Sequence, residues 1–286
     1  MTFTIVTITF NAAACLQRTL DSVLAQTYPD IEHLIVDGAS RDNTVAMAQA
    51  YADKAKAEKG AGYRVVISSE PDRGLYDAMN KGLQRASGDY LLYMNAGDSF
   101  PDSETLRHVA ESIKHAAPAS ASASVPASVS ASAPMSEASA SDSLPAVAYG
   151  DTLWTDNQGN IIGKRNHSAP ERLSWRSFKQ GMLVCHQAFY ARTDIAKLFP
   201  YDLQYRHSAD VDWCIRIMKE AEKRNLALVN THRVVAHYQR EGQTTANHRA
   251  SLMERFHVMR RHYGLLTTLA MHAWYVVRAI INKLSI

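Results

Sequence analysis

Acidic side chains directly follow two of the apolar runs in this sequence. Asp37 comes after the run 33–36, and Asp98 comes shortly after the run 90–94. A carboxylate at the tip of a strand is placed to accept hydrogen bonds from a bound base or ribose, or to bind a cation that bridges phosphates. Each acid also has a structural interpretation, because Asp37 can cap a following helix and Asp98 can belong to a turn.

A second pair of acids, Asp210 and Asp212, precedes the apolar helical run 213–218. At a helix start both are stabilised by the helix dipole and can cap free backbone N–H groups. One of them can instead act as a general base, which requires a carboxylate within hydrogen-bond reach of the hydroxyl that it deprotonates. The residue types alone do not choose between the two acids.

Strand-like and helix-like patterns alternate along the first part of the chain. Short apolar or β-branched runs predict strands at 4–10, 33–37, 64–68 and 90–94, and helical periodicity lies between them at 16–26, 44–58 and 75–86. This alternation predicts the α/β class, with a Rossmann-like, mostly parallel twisted sheet flanked by helices. In such sheets ligands bind beyond the carboxyl ends of the strands, and the candidate polar residues lie there.

Composition excludes several classes of protein. The 286 residues carry a formal net charge of +3 without long basic runs, so we expect no nucleic-acid binding. The three cysteines are far apart and have no metal-ligand spacing, so the sequence predicts neither a disulfide framework nor a zinc site. The first residues lack the pattern of a signal peptide, and we expect a cytoplasmic location.

Two stretches depart from the pattern of a folded core. Residues 116–145 are rich in Ala and Ser with almost no charge, which predicts a disordered insertion between a first half (1–115) and a second half (146–248). Residues 249–286 are helical in pattern and carry six Lys or Arg against one Glu. Arg278 opposes a spanning helix at 265–284, so we expect an amphipathic helix on an anionic membrane surface. Packing on the domain or on a second subunit is the alternative.

Five segments taken together resemble family 2 of the inverting glycosyltransferases, which have the GT-A fold. They are TITFNA (7–12), IVDGASRDNT (35–44), DRGLYDAMNKG (72–82), LLYMNAGD (91–98) and SADVDW (208–213). The chain looks most like the short bacterial members that build cell-surface polysaccharides. The resemblance makes 1–115 the half that binds the nucleotide-sugar and 146–248 the half that binds the acceptor.

The resemblance also implies a role for each matching residue. The nucleotide is expected to be bound by Thr9, Asn11, Asp37, Asp72, Arg73 and Gly74. The family's Asp-X-Asp metal motif falls on Asn95-Ala96-Gly97, so that Asp98 is the carboxylate left to bind Mg²⁺ or Mn²⁺. The family's Glu-Asp pair falls on Ala209-Asp210, which makes Asp210 the expected general base of a single displacement. Two further features fit an acceptor-side role: the run 149–154 predicts a strand that presents Asp151, and His186 either lies over the sugar or is a core histidine. The segment 237–245 resembles the family's loop that closes over the diphosphate, which implies contacts by His237 and Arg240. Asp212 stays a further candidate for an acceptor or diphosphate contact.

The resemblance therefore implies a hexosyltransferase that inverts the anomeric centre. We expect a nucleotide-sugar donor, with a UDP-sugar favoured, a lipid-linked saccharide acceptor, and a position on the inner face of the cell membrane. A nucleotidyltransferase would need a Gly-rich basic loop after the first strand, and residues 9–13 offer none. A non-catalytic scaffold with a transferase-like fold remains open because of the departures at Asn95, Gly97 and Ala209.

Overall fold

The computed structural model describes residues 1–116, 144–165, 167–239 and 248–284. Within them, eight strands form one sheet. The strands are β1 (Phe3–Thr9), β2 (Ile31–Asp37), β3 (Tyr63–Ser69), β4 (Tyr90–Tyr93), β5 (Val147–Thr155), β6 (Ile161–Lys164), β7 (Phe189–Arg192) and β8 (Leu228–Gln239). The helices are α1 (Ala13–Leu24), α2 (Thr44–Glu58), α3 (Leu75–Arg85), α4 (Thr105–His115), α5 (Thr193–Ala196), α6 (Ala209–Lys223), α7 (His248–Tyr263) and α8 (Leu265–Leu284). Two short 3₁₀ helices lie at Trp175–Gln180 and His186–Ala188.

The sheet joins both halves of the chain. Its order is β3-β2-β1-β4-β7-β5-β6, with β8 beside β5. β1 pairs in parallel with β2 and β4, and β2 pairs in parallel with β3. β7 is antiparallel to both β4 and β5, while β8 runs parallel to β5. The expected parallel arrangement therefore holds for the first four strands, and their carboxyl ends share one edge of the sheet.

Every residue of β1 and β2 is buried. Their near-continuous apolar character follows from this, because a parallel strand has helices on both faces. Ile35 packs on one face with Leu16 and Leu20 of α1. On the other face Gly82 of α3 approaches Val6 so closely that a Cβ at position 82 would collide with it. Packing in the core thus fixes where β1 and β2 end, and it thereby fixes the position of the polar residues that follow them.

The boundaries of the elements predicted in the first half differ from the observed ones by at most three residues, while α2 spans 44–58 and α8 spans 265–284 as expected. The predicted disordered insertion falls mostly on residues 117–143, outside the described residues. The C-terminal segment forms two helices that are separated at Gly264, where φ is +80°. No helix in the described part of the chain combines the length and the apolar character that crossing a bilayer requires.

One face of α8 packs on the chain itself. Thr268 is fully buried, His272 contacts the ring of Phe256 in α7, and the Tyr275 hydroxyl donates to the carbonyl of Lys179. The alternative of packing on the domain therefore holds for this face of the helix. The described side chains of the opposite face are exposed, and their expected contact with a membrane stays a prediction.

Candidate active site

Asp37 lies where β1, β2 and β3 end, and its carboxylate binds side chains from all three ends. Oδ1 accepts hydrogen bonds from the hydroxyls of Thr9 (2.9 Å) and Ser40 (2.5 Å), and Oδ2 accepts from Ser40 N (2.9 Å) and the Ser69 hydroxyl (2.7 Å). Burial by itself would raise the pKa of Asp37, but these hydrogen bonds outweigh it and the pKa is lowered. Thr9 and Asp37 thus form a fixed ionised cluster rather than two separate ligands.

Asn11 continues this cluster at the surface. It has a positive φ of 49°, its backbone N donates to the Ser40 hydroxyl at 2.8 Å, and its Oδ1 accepts from Arg41 N at 2.9 Å. The turn exposes 65% of the preceding side chain, Phe10. An exposed aromatic ring at the end of a strand offers a flat apolar surface for a nucleotide base.

Asp72 lies against the end of β2 because position 38 is glycine. A Cβ on Gly38 would collide with Asp72 Oδ2 and would lie 3.3 Å from the ring of Phe10. Asp72 Oδ1 accepts a hydrogen bond from Gly74 N at 2.8 Å. The structure therefore brings the Asp72 carboxylate against Gly38, the residue that follows Asp37.

Arg73 and Gly74 begin the turn into α3. Gly74 has φ +117° and precedes the first residue of the helix. The Arg73 guanidinium donates to Asp77 Oδ1 at 2.7 Å but is largely exposed. Because the guanidinium is 77% exposed, solvent screens its ion pair with Asp77, and Arg73 can exchange this partner for a phosphate at low cost.

Asp98, the expected metal ligand, is almost completely buried, with 2% of its surface exposed. Its Oδ2 accepts hydrogen bonds from the Gln187 side chain (3.0 Å) and Asn95 N (3.2 Å), and its Oδ1 accepts from Gln239 N (3.0 Å). Burial raises the pKa of Asp98 to about 6, although these donors and the nearby His186 act in the opposite direction. The carboxylate thus joins three separate segments of the chain.

Gly97 explains why the resembled metal motif is incomplete in this chain. Its φ is +100°, a conformation that favours glycine, and a Cβ there would collide with Oε1 of Gln239. Its carbonyl accepts two hydrogen bonds from the guanidinium of Arg18, at 2.6 and 3.0 Å. An acidic side chain at position 97 does not fit this local backbone.

A chain of polar contacts connects the Asp98 region with Asp210. Asn95 Nδ2 lies 3.2 Å from His186 Nε2, and His186 Nδ1 lies 3.4 Å from Asp210 Oδ2. The Tyr76 hydroxyl donates to Asp210 Oδ1 at 3.3 Å. These contacts require the His186 proton on Nδ1 when the ring is neutral, so that Nε2 accepts from Asn95. The structure thus brings together three predicted site residues, Asp98, His186 and Asp210.

Asp210 itself is held as an ionised, partly accessible carboxylate. Its side chain is 16% exposed. Burial would raise its pKa, but the hydrogen bond to His186 and the charges of His186 and Arg255 outweigh burial, and the pKa is lowered. A carboxylate that stays ionised at neutral pH is in the protonation state that a general base requires.

Asp212 is turned away from this network and is completely buried. Its carboxylate accepts from Arg216 Nε at 2.6 Å and lies 2.7 Å from His262 Nε2 of α7. These partners make Asp212 part of the contact between α6 and α7. Only Asp210 of the two acids contacts His186.

His237 and Asp151 do not belong to the described Asp98–Asp210 network either. Burial lowers the pKa of His237, and the Asp102 charge acts against this shift. By contrast, burial raises the pKa of Tyr238 to about 12, and the charges of Asp98 and Asp210 act in the same direction. Successive side chains of a strand point to opposite faces, so Tyr238 is the one on the side of the network. Asp151 accepts a hydrogen bond from the backbone N of Ala169 at 2.6 Å. Arg240 lies outside the described residues.

The oxygen atoms near Asp98 fit a divalent cation. Among the described residues, no three His, Cys, Asp or Glu side chains gather as a metal cluster. However, Asn95 Oδ1 and Gln187 Oε1 are buried and have no hydrogen-bond partner in the described part of the chain. Both residues contact Asp98 Oδ2 through their nitrogen atoms. Hard cations take carboxylate and amide oxygens and complete their shell with phosphate and water, so this donor set is suitable.

Several residues of the site were missed by sequence reasoning. They are Phe10, Arg18, Tyr76, Gln187 and Tyr238. Gln187 lies beside the predicted His186, and Phe10 lies between two predicted residues, so adjacency was an available signal for both. Tyr238 lies beside the predicted His237, and Tyr76 lies inside the segment 72–82, so the same signal was available for them. Arg18 carried none, because its role depends on contacts between distant segments.

The sequence model of glycosyl transferase family 2 matches residues 4–199. The chain belongs to this family. It is 33% identical over 243 residues to the PGL/p-HBAD biosynthesis glycosyltransferase of Mycobacterium bovis, covering 84% of this chain and 77% of that protein. It is also 32% identical over 90 residues to the cholesterol galactosyltransferase of Borreliella burgdorferi, covering 32% of this chain and 23% of that protein.

Solved structures identify the fold as GT-A. The S. aureus TarS 1–349 complex with UDP-GlcNAc has a TM-score of 0.60 at 16% identity, covering 91% of this chain. The mannosyltransferase PcManGT from Pyrobaculum calidifontis, in complex with GDP-Man and Mn²⁺, has a TM-score of 0.58 at 14% identity and covers 99% of this chain. The chain spans 65% of the TarS 1–349 chain and 79% of the PcManGT chain. The predicted fold class is thereby confirmed, and the enzyme class is glycosyltransferase.

Proposed function

We propose that this glycosyltransferase transfers a hexose from a nucleoside diphosphate donor to a saccharide acceptor in a single displacement that inverts the anomeric centre. The observation that carries the proposal is the polar chain Asp98–Asn95–His186–Asp210, which joins a candidate cation site to an ionised carboxylate. A single displacement needs these two functions together: stabilisation of the leaving diphosphate, and a base for the attacking hydroxyl.

The donor nucleotide binds at the ends of β1 and β2. Its base stacks on Phe10, the Asp72 carboxylate accepts N–H groups of the base, and Arg73 with the N–H groups of the turn at Gly74 neutralises phosphate charge. Asp37 accepts hydrogen bonds from Thr9 and Ser40 and so fixes the residues around this pocket. Solved relatives with UDP-GlcNAc or GDP-Man support a nucleotide-sugar, and we favour a UDP-sugar.

Asp210 removes the proton from the acceptor hydroxyl as the hydroxyl oxygen forms its bond to the anomeric carbon. The bond between that carbon and the diphosphate oxygen breaks, and the electron pair leaves with the diphosphate. His186 and Tyr76 orient the two carboxylate oxygens of Asp210, and the proton ends on the carboxylate. Because the attacking and leaving oxygens are on opposite sides of the carbon, the configuration inverts.

Mg²⁺ or Mn²⁺ would be held by Asp98, with Asn95 Oδ1 and Gln187 Oε1 as neighbouring oxygen donors. A cation bound there would neutralise charge on the diphosphate. The Mn²⁺ in the PcManGT complex supports a divalent cation in a protein of this fold.

The exposed face of α8 supports an acceptor at a membrane. Among the side chains that the structure describes in α8, the large apolar ones that are exposed are Leu265, Leu266 (84% exposed), Leu269, Trp274 and Val277. The inward face carries the polar Thr268 and His272 instead. A helix on a water-exposed surface shows the opposite arrangement, with apolar side chains inward and polar ones outward. With the basic composition of residues 249–286, this pattern fits a peripheral position on the inner face of the cell membrane, a lipid-linked acceptor and a role in cell-surface polysaccharide synthesis.

The donor and the cation are tested by release of nucleoside diphosphate from a panel of UDP-, GDP- and TDP-hexoses, with membrane extract as the source of acceptor. We expect release from one donor class, loss of release with EDTA, and recovery with Mn²⁺ or Mg²⁺. If no donor releases nucleoside diphosphate although the protein binds nucleotide, a non-catalytic scaffold would be favoured. Release that EDTA does not change would remove the cation from the proposal.

The membrane position is tested by co-sedimentation with vesicles of phosphatidylcholine alone or mixed with phosphatidylglycerol. We expect binding to the anionic vesicles and its loss in a Leu266→Glu, Trp274→Glu variant. Leu198→Glu changes another exposed apolar residue, outside α8, and serves as the matched control. Equal binding by all three proteins would contradict a membrane role for α8.

A further inference from the structure

Helix α7 packs against the segment that carries Asp210. Val258 and Met259 of α7 are buried. Near the end of the helix, His262 contacts Asp212 at 2.7 Å and Arg261 donates to Asp202 at 2.9 Å. This helix lies beyond residues 4–199, the region that the family model matches, so the family match assigns none of its residues a role.

Glu254 of α7 binds three consecutive backbone N–H groups of the loop before α6. Its Oε1 accepts from Arg206 N at 2.8 Å, and its Oε2 accepts from His207 N at 2.7 Å and from Ser208 N at 3.1 Å. The Ser208 hydroxyl adds a bond to the carbonyl of Ser251 at 3.3 Å. Hydrogen bonds between N–H groups and an ionised carboxylate are stronger than neutral ones, so this is a firm attachment.

We propose that Glu254 is a positioning residue for the general base, because it fixes the backbone from which Asp210 projects. The proposal rests on the proposed role of Asp210. Ser208 is the residue directly before the first turn of α6, and Asp210 is the second residue of that helix. A carboxylate that holds 206–208 therefore sets where the first turn begins.

Asp210 depends on its backbone because its side-chain contacts are weak. Its bonds to Tyr76 and His186 are 3.3 and 3.4 Å long, near the limit for a hydrogen bond. Its shortest contact, at 2.9 Å, is with the N–H of the next residue, Val211, which moves with the same segment. Glu254 supplies the attachment to the rest of the fold that the side chain of Asp210 lacks.

The test compares Glu254→Ala and Glu254→Gln with a matched control at the other end of α6. Glu222 accepts from Trp175 Nε1 at 2.5 Å and from Arg176 at 2.6 Å, so Glu222→Ala also removes a link between α6 and a neighbouring segment, but far from Asp210. Each full-length variant is measured for kcat and donor KM by diphosphate release, for Tm, and for amide hydrogen exchange of residues 206–212 by mass spectrometry. Asp210→Asn is included.

We expect Glu254→Ala to lower kcat by about 100-fold with donor KM within about threefold, since small misplacement of a catalytic group costs this much. Exchange in 206–212 should accelerate, and Glu254→Gln, which keeps one acceptor oxygen, should recover part of kcat. Glu222→Ala should lower Tm without these changes.

Equal kcat in Glu254→Ala and Glu222→Ala would overturn the positioning role, as would a loss of kcat without faster exchange in 206–212. Full activity of Asp210→Asn would instead show that the assignment of the base is wrong, and so distinguishes the failure of the proposed function from the failure of this inference. The exchange measurement does not require an active enzyme.

Discussion

The two ends of the candidate site are held in different ways. At the donor end, four hydrogen bonds of 2.5 to 2.9 Å hold the Asp37 carboxylate within the ends of three strands. At the reaction end, side-chain contacts of 3.3 and 3.4 Å hold Asp210, and two buried amide oxygens near Asp98 have no partner in the described residues. Under the proposed function, this difference predicts a nucleotide pocket that is formed in advance and a reaction centre that donor, cation and acceptor complete.

The largest effect is expected at the reaction end. Asp210→Asn removes the proton acceptor and keeps the shape of the side chain, so kcat should fall by about 10²- to 10⁴-fold, the usual contribution of a general base. Donor affinity should stay within a few-fold, because Asp37 and the loop at Asp72 are unchanged. Steady-state kinetics and calorimetric titration with the nucleoside diphosphate measure the two quantities. A parallel loss of affinity would break the proposed separation between the two ends.

The opposite pattern is expected at the donor end. In the native protein four donors bond to the two carboxylate oxygens of Asp37. Asp37→Asn keeps one of these oxygens and replaces the other with an NH₂ group that cannot accept, which should reduce the free energy of unfolding by about 1–3 kcal/mol. Affinity for the nucleoside diphosphate should fall by about tenfold as Thr9 and Ser40 shift, while kcat at saturating donor changes little. Thr27→Ala, on the exposed turn before β2, provides a control for general destabilisation. A variant with native affinity would show that Asp37 does not organise the pocket.

The rigid donor half also predicts how stability depends on pH. His33 of β2 is completely buried between the hydroxyls of Thr7 (2.9 Å) and Tyr51 (2.6 Å), and burial lowers its pKa from 6.5 to about 3. The unfolded chain binds a proton at this side chain below about pH 6.5, whereas the folded chain does so only near pH 3. The unfolded state therefore holds more protons in this window, and the free energy of unfolding falls as the pH falls.

Between pH 7 and pH 5 this single group should remove about 2 kcal/mol of stability. Urea denaturation at several pH values measures the slope, which His33→Gln should flatten. His257→Gln, on the exposed surface of α7, should keep the wild-type slope. The same slope in all three proteins would mean that His33 does not control it.

The smallest effect is expected at Gly38, where the absence of a side chain lets Asp72 and Phe10 pack closely at the donor end. Gly38→Ala would push the Asp72 carboxylate away from the end of β2 and crowd Phe10. We expect affinity for the nucleoside diphosphate to fall by about three- to tenfold with kcat nearly unchanged, since the added methyl group corresponds to about 1 kcal/mol of strain. Gly60→Ala, where a Cβ would meet nothing within 4 Å, is the matched control. Unchanged binding in Gly38→Ala would mean that Asp72 is not part of the pocket.

The sequence predicted much of the first half and less of the second. Strands β1 to β4 were predicted because short apolar or β-branched runs alternate with helical periodicity, and the ends of these strands then place Asp37 and Asp98 on one edge. The weaker suggestions in the second half divided: His186 joined the site, whereas Asp151 and Asp212 bind other parts of the chain. A polar residue on an irregular segment has no periodicity that reports the direction of its side chain.

The chain by itself determined the α/β class, the edge of the sheet where polar residues gather, and the family, because these depend on local periodicity and on the order of motifs. Tertiary structure decided which acid of the pair at the start of α6 faces His186, since packing of Trp213 in the core and of Asp212 against His262 fixes the rotation of the helix. It also decided that Gly38 and Gly97 make room for Asp72 and Gln239. Such choices depend on contacts between residues far apart in the chain, and no local pattern encodes them.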